Sequence, residues 1–152
     1  MAPAIDPLSI NQVVNAAYAR WAAALGVSAN TLKIALNLSF LVTDLGGSTL
    51  GELDGHLVRL DDNAAGNGWY VDTTPMSNGE YRRNKGSLSV LSGPASQGID
   101  LLTTVMHEIG HALGLSDNTT PTSIMDDTLG LGTRRLPSKL PHVLDLLQHA
   151  HN

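Results

Sequence analysis

From Ser9 to Leu25 the apolar residues Ile10, Val13, Val14, Ala17, Trp21 and Ala24 recur every three or four positions, which predicts an amphipathic helix that Gly26 ends. Between Leu32 and Val42 the spacing changes. Leu32, Ile34, Leu36, Leu38, Phe40 and Val42 fill every even position, the alternation of a strand, although Ser28 could equally cap a short helix that yields to a strand near Leu38. His56–Asp61, Trp69–Asp72 and Ser87–Leu91 read as further strands joined by glycine-rich connections. Helical spacing returns at Leu102, Val105, Met106, Ile109 and Leu113. It returns again at Leu140, Val143, Leu144 and Leu147, with Pro141 suited to a first turn. The pattern predicts an α/β (α+β) chain in which helices cover a sheet, without internal repeats.

The helix around residue 107 also carries a polar stripe, Asp100, Thr104, His107 and His111, which points its histidines into a cleft rather than into the core. The run HEIGHALGLSD, His107 to Asp117, gives this stripe its chemistry. Residues four apart share a helix face, so His107 and His111 can present nitrogens to one metal ion while Glu108 projects beside them. Gly114 can adopt the left-handed conformation that ends a helix, turning the chain back and carrying Asp117 towards the same ion. Three protein ligands, His107, His111 and Asp117, leave a catalytic zinc one position for water, and Glu108 is placed to take that water's proton. His56, His142, His149 and His151 are rival third ligands.

Composition narrows the classes. At 152 residues the chain suits one domain, and 42% hydrophobic content without a long apolar run gives no membrane span. A net charge of −5 offers no basic surface for nucleic acid or anionic lipid, and Arg82, Arg83 and Lys85 read as a solvated loop. The absence of cysteine removes any disulfide framework or cysteine-based pro-segment latch and fits either side of a membrane. MAPAIDPLSI has neither the charged start nor the apolar centre of a signal peptide. Asp61 to Asp72, DDNAAGNGWYVD, imitates a calcium loop at its first, third, sixth and last positions. Ala65 offers no oxygen at the fifth, so a strand-connecting turn is the better reading, with a structural calcium as the alternative. Trp69 and Tyr70 read as core anchors and a cleft wall.

The long motif resembles the zinc signature of the metzincin metalloproteases, HExxHxxGxx followed by a third ligand. Met125, in the Ser-Ile-Met context of NTTPTSIMDD, is similar to the Met-turn that underlies the metal in that group. Leu50–Pro75 and Gly130–Pro137 resemble segments of matrixin-like modules in large bacterial secreted proteins. The resemblance implies a twisted mixed sheet with an N-terminal helix, a zinc helix, a Met-turn and a C-terminal helix. It implies a monomeric zinc endopeptidase with one catalytic zinc, acting on protein or peptide substrates and secreted, as a domain of its own or a module of a larger protein. A polypeptide-binding zinc module without turnover, part of a larger adhesin-like protein, is the alternative. Most of the group has histidine as third ligand; Asp117 at that position is similar to snapalysin, and a carboxylate there makes the metal a weaker Lewis acid. No tyrosine follows Met125, so the supplementary tyrosine ligand of astacins and serralysins has no counterpart.

Overall fold

The computed structural model describes residues 5–84 and 87–138. Helix α1, Pro7–Leu25, begins where the Asp6 side chain accepts from the Leu8 amide and ends at Gly26, whose φ of 73° is the left-handed conformation expected of a helix-ending glycine. It buries Val13, Ala17 and Trp21, and the Trp21 indole donates to the Met106 carbonyl at 2.8 Å, fastening α1 to the zinc-motif helix.

The alternation over Leu32–Val42 resolves into two elements. Residues Ala29–Leu36 form a second helix, α2, capped by Ser28, and only Ser39–Thr43 is strand, β1. The even spacing was accidental in its first half: α2 buries Leu32, Ala35 and Leu36, a three-and-four spacing, and leaves Ile34 exposed. Strands β2, Gly51–Asp54, and β3, Leu57–Asp61, complete a mixed sheet of order β1-β3-β2, with β1 parallel and β2 antiparallel to β3.

Shorter strands brace the rest. Strand β4, Trp69–Tyr70, is half the expected segment and pairs in parallel with β7, Ile99–Asp100. Strands β5, Arg82–Asn84, β6, Ser87–Ser89, and β8, Thr133–Arg134, form an antiparallel sheet, so the expected basic loop is an edge strand whose arginines are exposed. A short 3-10 helix, Pro94–Gln97, precedes β7. Helix α3, Leu101–Ala112, lies between α1 and β2, and its Leu101, Leu102, Val105, Met106 and Ile109 join Trp21, Leu32, Val58 and Leu60 in the main core. The closing helix expected around Leu140–Leu147, with His142, His149 and His151, lies outside the described residues.

Candidate metal centre

Helix α3 ends in a glycine-dependent reversal. The Leu115 amide donates to the Gly110 carbonyl and the Gly114 amide to the His111 carbonyl, with Gly114 at φ 98°. The reversal does two things for His111. It brings the Leu115 carbonyl to 2.9 Å from His111 Nδ1, and it returns the chain so that Asp117 faces the helix it has just left.

His107 Nε2 and His111 Nε2 stand 3.1 Å apart, and Asp117 Oδ1 lies 2.9 Å from the first and 3.0 Å from the second. Ligands 2.0–2.1 Å from a tetrahedral zinc stand roughly 3.3 Å from one another, so this triangle has the dimensions of one face of such a site. The protons agree. His107 Nδ1 donates to the Ile124 carbonyl at 2.9 Å and His111 Nδ1 to the Leu115 carbonyl, which leaves each neutral ring an Nε2 lone pair. Two imidazole nitrogens and a carboxylate oxygen then converge on one point, a donor set of the kind that holds a divalent cation.

The loop around Met125 packs on Gly110. A Cβ at Gly110 would collide with Met125 Sδ, so only glycine lets the loop come this close between the two histidines. The loop is bound to the segment after Asp117: the Asn118 amide donates to the Met125 carbonyl at 2.8 Å, and the Asp127 amide to the Asn118 carbonyl at 2.9 Å.

Glu108 is 4% exposed and sits under β2. A Cβ at Gly51 would stand 3.3 Å from Glu108 Oε2 and from Thr104 Cγ2. Burial is the largest influence on the Glu108 carboxyl; with the charges of Asp117 and Glu52 it outweighs the opposing His111, pushing the pKa up to about 7. Glu108 also lies within 4.8 Å of the imidazole donors, but Asp117 Oδ1 lies closer to both rings. A cleft of about 890 Å³ opens over the triangle, walled on one side by Gly47–Leu53 and on the other by Ile124 and Asp126–Leu129.

Compared with known protein families, residues 2–140 match the family model described as Matrixin. The chain belongs to the matrixins. No curated protein matches it. The family binds zinc and hydrolyses peptide bonds, and this matrixin's mixed sheet, α3 and convergent donors accord with both properties.

Other expected residues fall elsewhere in the matrixin. His56 lies in the β2–β3 turn, its Nδ1 donating to the Leu36 carbonyl, and takes no part in the triangle. Asp100 does not share the cleft-facing stripe. It is buried at the start of α3, where its carboxylate meets Arg134 Nε at 2.8 Å and Nη2 at 3.0 Å. Arg134 also binds Asp72 at 2.9 Å and lies 4.5 Å from the Tyr81 ring centroid. The last carboxylate of the calcium-like loop is thus spent on an arginine. The first, Asp61, accepts from the Leu45, Asn63 and Ala65 amides, while Trp69 donates its indole N–H to the Asp61 carbonyl. Asp44, Asp61 and Asp62 gather nearby, with Asp61 turned to those amides.

Sequence reasoning left Arg134 and Arg135 without roles. Their position in GLGTRRLP was visible, but their partners lie up to 62 residues away, beyond any local pattern.

Proposed function

We propose that this matrixin is a zinc endopeptidase whose metal is held by His107, His111 and Asp117 and whose general base is Glu108. One observation carries the reading: two Nε2 atoms and a carboxylate oxygen meet within 3.1 Å while both Nδ1 protons are donated elsewhere. When bound, zinc polarises the scissile carbonyl and lowers the pKa of the attacking water. Glu108, buried within 4.8 Å of the imidazole donors, takes a proton from that water and delivers it to the leaving amine nitrogen. The β2 edge not paired with β3 lines the cleft and offers backbone groups to an extended peptide lying alongside. Placing the enzyme outside the cell rests on its resemblance to secreted modules, and recovery of the protein from culture supernatant of its native host tests that placement.

The presence of Glu108, buried beside the two imidazoles, favours turnover over a module that only binds zinc and polypeptide. The test is Glu108→Gln with casein as substrate. We expect one equivalent of zinc and an unchanged melting temperature, with hydrolysis reduced about 10²–10⁴-fold. A variant that loses zinc would make Glu108 a ligand, and one that cleaves at the parent rate would remove it as the base.

A further inference from the structure

Arg135 is 8% exposed, lies beyond the zinc motif on the wall of the same cleft, and makes no hydrogen bond or ion pair with the donor triangle among the described residues. Its Nε donates to the Pro121 carbonyl at 2.9 Å, its Nη1 to the Thr128 carbonyl, and its Nη2 pairs with Asp126 Oδ2 at 3.3 Å. One planar cation therefore grips the loop after Asp117 at Pro121, Asp126 and Thr128. The same residue's backbone amide donates to Thr103 Oγ1 on α3 at 3.1 Å, so the grip is referenced to the helix that carries the histidines.

That loop contains the two groups on which the triangle depends. Ile124 supplies the carbonyl that orients His107, and Met125 and Asp127 hold Asn118, the neighbour of Asp117. We infer that Arg135 is a positioning residue for the metal centre, fixing His107 through the Ile124 carbonyl and Asp117 through the pairing of Asn118 with the Met-turn. The inference rests on the zinc-site reading above. A buried ion pair is a weak source of net stability, because an apolar pair of the same volume often does as well; what a guanidinium adds is fixed geometry at several acceptors at once. Lysine cannot reproduce it. An ammonium has the charge but not the planar fork that reaches two carbonyls and a carboxylate together.

The experiment compares the parent, Arg135→Lys and Asp126→Asn by two readouts. Zinc affinity is measured with zinc alone against a chromophoric chelator, and the low-field imidazole N–H signals of His107 and His111 are followed by NMR in the metal-free protein. His111 is an internal control, since its acceptor, Leu115, lies outside the gripped loop. For Arg135→Lys we expect zinc affinity to fall about 10- to 100-fold, with the His107 Nδ1–H signal lost to exchange and that of His111 retained. Asp126→Asn leaves both carbonyl contacts in place. It carries the test if the lysine variant fails to fold, and a smaller loss of affinity with the His107 signal alone weakened supports the inference. Affinity within twofold of the parent and both signals intact overturn the positioning role, even if the melting temperature falls. A parent that binds no zinc overturns this inference and the zinc-site reading together.

Discussion

Asp117, the third ligand proposed above, is a carboxylate where most of the metalloproteases this chain resembles have histidine. Replacing it with alanine removes one corner of a triangle whose other sides are 2.9–3.1 Å, and zinc affinity should drop sharply in chelator competition. Asp117→His should keep zinc and shift the acidic limb of the pH–activity profile to lower pH, because a neutral ligand leaves the metal more charge with which to acidify water. Unchanged zinc affinity in the alanine variant would remove Asp117 from the site. At this scale the sequence was informative, since His107, Glu108, His111, Gly114 and Asp117 are tied by backbone geometry within one helix and one turn. Asp100 shows the limit. Helical spacing put it on the histidine stripe, but its charge is claimed by Arg134, 34 residues later, and no local rule reports such a partner.

Among the elements, the turn after α3 does more than terminate a helix, because the Leu115 carbonyl it presents fixes the His111 ring. Alanine at Gly114 would have to adopt φ near 98°, a strain of about 1–2 kcal/mol. We expect Gly114→Ala to lower the melting temperature and, through displaced Leu115 and Asp117, to weaken zinc binding; a variant strained but normal in affinity would detach the turn from the site. Helices α1 and α3 were readable because each repeats its apolar spacing over three turns or more. Helix α2 was legible only as one of two readings, a short helix capped by Ser28 or a longer strand, since eight residues give two turns, and over that length helical and alternating patterns overlap at Leu32 and Leu36. Strands β7 and β8, two residues each, exist through pairing with β4 and β6, partners that no short window contains.

Across the whole molecule, Arg134 joins β8, the start of α3 and the segment after β4 through Asp100 and Asp72. Burial works to raise the Asp72 carboxyl, but the Thr74 amide and Arg134 outweigh it and hold the pKa below the ordinary carboxylate range. Burial likewise opposes Asp61, and the Leu45, Ala65 and Asn63 amides bring it below that range. A depressed folded pKa contributes stability above the unfolded value, about 3.9, and loses it as pH falls through the folded value. Through Asp72 and Asp61, stability measured by urea unfolding should therefore decline as pH falls below about 4. Arg134→Met should cost about 3–5 kcal/mol by leaving buried carboxylates unpaired, and should move the acid decline to higher pH. An unmoved decline would mean that other groups set acid sensitivity.

The three proposed donor residues all lie between His107 and Asp117, one short stretch of chain. Closing so small a loop costs little chain entropy, so the centre does not have to wait for distant strands to find one another. Metal capture is therefore expected to precede sheet assembly, with the ion acting as a folding nucleus as well as a reagent. Refolding in stopped flow should accelerate as free zinc rises, and a refolding rate indifferent to zinc would mean that the site forms only after the rest of the molecule has closed around it.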